Sequence, residues 1–291
     1  MVKRTLSLPG LGLAVACLWS PVVHTWGPEG HHIVAKIALG RLTPEAKKAT
    51  QDLLGAEDFV AVSTWADEVR SQRPETYNWH FVDIPYDQLN YLAMRDCKPT
   101  PRGDCILAEL ERARHDLTDA TLAKERRAEA LKWIIHLMGD LHQPLHCIDN
   151  HDRGGNDVFV TVAGEPPPPP GVRLNLHGVW DARIIADRET DETKYLDMLT
   201  AEYQSQQVMG APIDFTAWAE ASHQIAVQYA YAYPGFSPGA PPPPTQVVAL
   251  DKEYQNNARL AIDHQLELAG VRLASVLNSA FRSLRSSGTR H

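Results

Sequence analysis

The sequence predicts a predominantly helical, all-α single domain that carries one small β-hairpin. Three observations carry this expectation. Apolar residues recur at helical spacing through most of the chain, one stretch alternates with period two around a proline run, and 44% apolar residues in a chain of 291 is enough for a sizeable core. The helical pattern covers residues 31–42, then 44–54 behind Thr43-Pro44, which reads as an N-cap followed by proline at the first helical position. It resumes over 106–117, 128–141, 215–231 and 250–284. Val158, Val160 and Val162 alternate, and Val172, Leu174 and Leu176 do so beyond the prolines at 166–170, which is the pattern of a hairpin with a stiff tip. If Val162 pairs with Val172 and Val158 with Leu176, Asp157 lies opposite His177. No repeat or linker divides the chain, and the proline runs at 166–170 and 241–244 read as rigid spacers.

The first 25 residues read as an export signal. Lys3 and Arg4 precede an apolar stretch, 11–19, that is too short to anchor in a bilayer. Residues 1–25 are therefore expected to be a signal peptide and 26–291 one domain, secreted or periplasmic, without a membrane anchor and monomeric. Cys97 and Cys105 flank a polar turn and could close a small disulfide loop in an oxidising compartment. Cys147 then has no partner and reads as a small buried hydrophobe. The balance of 28 Lys+Arg against 36 Asp+Glu, a net charge of −8, argues against a broad basic face for nucleic acid. An anionic substrate would need positive charge supplied locally, and bound metal ions are one way to supply it. Thirteen histidines point the same way.

The densest chemistry lies between Trp133 and His146. His136 and Asp140 stand at i and i+4 on an apolar helix, so both project from one face. A buried carboxylate and imidazole one turn apart are costly unless they pair or bind a metal. Pro144 ends that helix and lets His146 turn back towards the pair, whereas His142 falls out of phase and reads as supporting or structural. His177 and Asp181 form a second i, i+4 pair, and closing the hairpin brings them to residues 146–156, where Gly154-Gly155-Asn156 lets backbone approach a ligand. Upstream, Asp67 and Arg70 share a helical face, His80 sits in the aromatic segment 78–83, and Trp26-Gly-Pro-Glu-Gly-His31 opens the expected mature chain, whose α-amine would titrate near ~8. Each element also has a bland reading. A helical His–Asp pair is commonly an internal hydrogen bond, Asp67 with Arg70 a plain ion pair, and His151-Asp152 part of a Gly- and Asn-rich turn. The concurrence of five histidines and three aspartates in ordered, partly apolar settings outweighs those readings.

Taken in order, Trp26-Gly-x-x-Gly-His31, Trp65-Ala-Asp67-x-x-Arg70, Trp79-His80-Phe81-x-Asp83, His136-x-x-Gly-Asp140-x-x-Gln-Pro-Leu-His146, Gly-Gly-Asn156 and Asn175-Leu-His177-x-x-Trp-Asp181 resemble the zinc-dependent single-strand nucleases of the S-one/P-one type. That family shares its fold with zinc-dependent phospholipase C, and the resemblance runs from Trp26 to the last helix. It implies three Zn²⁺ per chain: one on Asp67, His80, His136 and Asp140, a second on His146, His177 and Asp181, and a third on the amine and carbonyl of Trp26, His31 and the shared Asp140. It also implies that a metal-activated water attacks phosphorus, oriented or deprotonated by Asp67, while Arg70 stabilises the non-bridging oxygens. The implied substrates are single-stranded DNA and RNA, cut to 5′-mononucleotides, and 3′-nucleotides. Phe81 would stack on a base, Asp83 would bond its edge, and Asn156 would line the same substrate site. A base inside a duplex is not available to such a pocket, which gives the single-strand preference. No stable protein partner is implied. Two features depart from the family pattern: a second, long-range disulfide cannot form, and the proline runs are elaborations, the first lying near the proposed cleft. The rival readings are a phospholipase C, for which the sequence shows no apolar membrane-facing rim, and a non-catalytic periplasmic zinc-binding protein, which has no evident use for Arg70.

Overall fold

The computed structural model describes residues 26–188, 191–202 and 212–288, so the expected export signal at 1–25 lies outside the described residues. Helix α1 (Pro28–Arg41) follows the fully buried Trp26. Helix α2 (Pro44–Leu54) begins at Thr43, whose hydroxyl accepts from the Ala46 N–H at 3.2 Å and so satisfies one of the orphan donors of the first turn. A 3-10 turn, Ala61–Thr64, leads into α3 (Trp65–Arg70), and a second, Pro74–His80, ends on His80. Next come the single turn α4 (Ala93–Asp96), then α5 (Ile106–Thr118) and α6 (Lys124–Asp140), followed by the 3-10 turn Pro144–His146.

Strands β1 (Phe159–Val162) and β2 (Leu174–Asn175) form the hairpin, with Phe159 opposite Asn175 and Val160 opposite Leu174. This is the register the alternation predicts, but the second strand is shorter than expected. Asn175 is the physical reason: its side-chain oxygen accepts from the Gly178 N–H at 2.7 Å and starts helix α7 (Leu176–Gly178) where the strand would have continued. A π-helical turn, Val179–Arg183, carries the chain into α8 (Ile184–Arg188), α9 (Glu192–Glu202) and α10 (Phe215–Ile225). Strand β3 (Val248–Leu250), which the alternation did not reveal, then joins β1 in parallel before the long α11 (Lys252–Gly288), giving the sheet order β2-β1-β3. Three residues are too few for period two to register in the sequence.

Helix α6 is the centre of the architecture. From Ala130 to Asp140 almost every residue is buried, because α5, α11 and α1 enclose it. Gly139 is part of that enclosure: a Cβ there would lie 2.8 Å from the His31 ring, so the glycine lets α1 bring its histidine against α6. Trp133 packs edge-on against Trp65 and Trp79, contacts of the kind worth ~0.5–1.5 kcal/mol beyond area burial, and these fix α3 and the His80 segment over α6. No described helix is long and apolar enough to cross a membrane.

Candidate metal centre and cleft

Five separate stretches of chain converge on Asp140. His136 Nε2 lies 3.0 Å from Asp140 Oδ2, and His80 Nδ1 lies 3.0 Å from the same oxygen and 3.1 Å from His136 Nε2. His31 stacks on His136, ring centres 4.1 Å apart, with its Nε2 3.4 Å from Asp140 Oδ1. Asp67 reaches in from α3, its Oδ1 3.7 Å from His80 and 3.8 Å from His136. A second group adjoins the first: His146 stacks on His177 with ring centres 5.0 Å apart, and Asp181 Oδ2 lies 3.4 Å from His177 Nε2. His146 Nδ1 is also 3.6 Å from Asp140 Oδ1, so Asp140 touches both groups. Three sets of ligand-type atoms result, the first two sharing His136: His31, Asp67 and His136; His80, His136 and Asp140; and His146, His177 and Asp181. Trp26 belongs to the same place. Its indole donates to the Gly139 carbonyl at 2.8 Å, and the next residue's N–H donates to the Asp181 carbonyl at 2.8 Å, which fixes the main chain at 26–27 beside both aspartates.

Three of the imidazoles are oriented by carbonyls that no motif marks. The Nδ1–H groups of His136, His146 and His177 donate to the carbonyls of Ser63 (2.7 Å), His80 (3.0 Å) and Gly154 (2.7 Å). With Nδ1 so engaged, each Nε2 is the nitrogen that faces the cluster, the arrangement metal-binding histidines use. Gln143 makes the analogous contact to a carboxylate, donating from Nε2 to Asp181 Oδ1 at 2.5 Å. The Gly154 carbonyl sits in a strained loop in which His151 and Arg153, both non-glycine, adopt left-handed φ of 61° and 56°. Gly154 is itself left-handed, and a Cβ on it would fall 2.3 Å from the Leu145 carbonyl. Two carboxylates hold this loop. Asp149 Oδ1 accepts from the Asp152 and Arg153 N–H groups, and buried Asp152 Oδ1 accepts from the Gly155 N–H at 3.0 Å and the Tyr231 hydroxyl at 2.8 Å. The His151-Asp152 doublet is thus a scaffold for the loop, with His151 exposed.

The electrostatics of the cluster are those of donors in need of cations. Burial depresses His146 to about 3 and His177 to about 4, keeping both neutral. Burial drives Asp181 well above the usual carboxylate range, where Asp140 and Asp67 repel its charge and Gln143 only partly compensates. Asp140 is held well below that range: burial works against it, but His136, His31 and His80 prevail. His80 Nε2 and Asp140 Oδ1 are buried with no hydrogen-bond partner among the described residues. An acidic, solvent-excluded cluster with this donor set fits metal ions bound by nitrogen and oxygen.

The cluster forms one end of a cleft of about 250 Å³ lined by Arg70, Tyr77, Phe81, Asp83, Asn156 and His177, among others. Arg70 donates to the Tyr77 carbonyl at 3.2 Å and lies over the Tyr77 ring, and Phe81 meets that ring edge-on. Asp83 opens on the cleft, yet surrounding protein and the nearby charges of Asp149 and Asp96 push its carboxyl up to about 7. A disulfide joins Cys97 to Cys105, and Cys147 is buried with its thiol donating to the Leu141 carbonyl at 3.4 Å. His142 turns away from the cluster towards α11.

Residues 26–282 match the family profile described as S1/P1 Nuclease. The chain belongs to that family. It is 30% identical over 280 residues to Endonuclease 2 of Arabidopsis thaliana, spanning 90% of this chain and 92% of that protein. It is 32% identical over 164 residues to Nuclease P1 of Penicillium citrinum (54% of this chain, 57% of that one) and 30% identical over 191 residues to Nuclease S1 of Aspergillus oryzae (63% and 61%). As an S1/P1 nuclease, the chain is a metal-dependent hydrolase of phosphodiester bonds with nucleic acid as its substrate. Sequence reasoning missed the Ser63, His80 and Gly154 carbonyls, Gln143 and the Asp152–Tyr231 pair. Of these only Gln143, inside the Gln-Pro-Leu-His run, carried any signal.

Proposed function

We propose that the chain is an exported, monomeric nuclease holding three zinc ions, which cuts single-stranded DNA and RNA to 5′-mononucleotides and dephosphorylates 3′-nucleotides. The observation that carries this reading is a cluster of eight converging imidazoles and carboxylates that meets, through His80, His146 and His177, a cleft also lined by Arg70, Phe81 and Asp83. Asp67, His80, His136 and Asp140 would hold one ion, and His146, His177 and Asp181 a second. A third would sit on His31, Asp140 and the main chain of Trp26, whose free amine would exist only after removal of residues 1–25. Zinc supplies Lewis acidity and lowers the pKa of water towards ~7. The chain's own groups do the rest. Asp67 orients the attacking water and takes its proton, and Arg70 neutralises charge growing on the non-bridging oxygens. Phe81 stacks on the base. Near neutral pH the Asp83 carboxyl exchanges between donor and acceptor, which suits hydrogen bonding to a base edge. Asn156 also lines the cleft and accepts from the Asn175 side-chain amide at 3.4 Å.

The test is a digest of a short single-stranded oligonucleotide by the protein lacking residues 1–25, with and without a chelator, with products identified by mass. Chelator-sensitive release of 5′-mononucleotides is the expected result, and an intact oligonucleotide in a zinc-loaded sample overturns the reading.

A further inference from the structure

We infer that Arg102, stacked on Tyr77 at the cleft wall, binds a phosphate of the substrate strand adjacent to the scissile one, an inference that rests on the nuclease reading above. The guanidinium carbon of Arg102 lies 3.5 Å from the Tyr77 ring centre and that of Arg70 lies 4.1 Å from it. Two guanidinium groups at those distances would clash on one face, so the ring separates them, one towards the metal cluster and the other further out. All three residues line the same cleft.

Arg102 is a built feature of that wall. It belongs to the loop closed by Cys97 and Cys105, which is docked on residues 75–79. The Arg102 carbonyl accepts from the Asn78 N–H at 2.8 Å, its own N–H donates to Thr100 Oγ1 at 3.0 Å, and the turn closes through paired bonds between Thr100 and Gly103. Gly103 has φ +98°, and a Cβ on it would lie 2.7 Å from the Glu75 carbonyl and the Trp79 ring, so only glycine seats the loop this closely.

Its neighbours are neutralised and Arg102 is not. Arg95, Arg112 and Arg153 pair with Asp96, Asp104 and Asp157, whereas the Arg102 guanidinium meets no carboxylate among the described residues. A guanidinium whose face is covered by an aromatic ring keeps its N–H edge for a phosphate, bidentately and with little rotamer freedom left to lose. In a chain of net charge −8, with Asp83 and Asp149 lining the same cleft, a cation in this position selects for the phosphate backbone.

The experiment compares Arg102→Ala and Arg102→Lys with the unaltered enzyme on a single-stranded dodecanucleotide and on a dinucleoside monophosphate, which has no flanking phosphate. For Arg102→Ala, kcat/KM on the dodecanucleotide is expected to fall about 10-fold, with the dinucleotide rate unchanged. The slope of log kcat/KM against log salt on the longer substrate should become shallower by about 0.7, one single-strand phosphate contact, and Arg102→Lys should restore that slope while recovering only part of the rate. Equal losses on both substrates, or an unchanged rate and salt slope on the dodecanucleotide, would overturn the inference. If the unaltered enzyme cleaves neither substrate, the nuclease reading fails and takes this inference with it.

Discussion

Helix α6 and the turn after it present two fully buried histidines, six residues apart, that face different partners. Both donate Nδ1–H to a carbonyl: His136 to Ser63 and His142 to Met138. The difference lies at Nε2. His136 points into Asp140 and Asp67, and those carboxylates outweigh burial and lift it to about 9. His142 accepts from Arg272 at 2.9 Å, and burial together with that guanidinium drives it well below its ordinary value. On the Arg272 side Gln265 donates to the His142 carbonyl and to Ser222, and a cation rather than a carboxylate faces the ring. The Asp140 side has buried lone pairs still to satisfy. Burial alone therefore does not distinguish a site from a core; the sign of the charge facing each ring does.

That contrast can be broken first at its strongest point. Asp140→Ala is expected to reduce nucleolytic activity to background and to lower metal content, read by elemental analysis, because Asp140 adjoins both groups of donors. Normal zinc content and rate in this variant would remove Asp140 from the centre. Arg70→Ala should lower kcat by about 10²–10³ with metal content intact, the cost of one charge-stabilising donor. Next in size is Tyr231→Phe, which strips a hydrogen bond from buried Asp152 and should cost about 1–3 kcal/mol of unfolding free energy in denaturant titration.

The Arg272 side gives smaller effects. Because the folded state lowers the pKa of His142, its contribution to stability is fully present above its unfolded value near ~6.5 and is lost as pH falls below it. His142→Gln should thus show a smaller stability loss than the unaltered protein between pH 8 and pH 5.5, both measured with saturating zinc so that metal loss cancels. The smallest effect is expected at Cys147, whose thiol burial pushes far up: a thiol reagent should label it only in denaturant. Labelling of the folded protein would contradict its place in the core.

The residues that would do chemistry were legible because local geometry announces them. His136 with Asp140 and His177 with Asp181 repeat at one helical turn, and the hairpin register followed from alternation alone. The groups that aim them were not. Ser63, His80 and Gly154 contribute carbonyls, which every residue possesses, and Asp152 finds Tyr231 across 79 positions. Arg102 was visible only as one residue of a polar disulfide turn, since its meaning comes from lying over Tyr77.

The helical class, the disulfide loop and the His/Asp pairs one helical turn apart were readable from the sequence, because each depends on residue type and short spacing. Packing decided which imidazoles and carboxylates gather around Asp140, which carbonyls orient His136, His146 and His177, where β3 docks, and that His142 meets Arg272. Those outcomes depend on distances between segments far apart in the chain, which packing around α6 sets and no local pattern encodes.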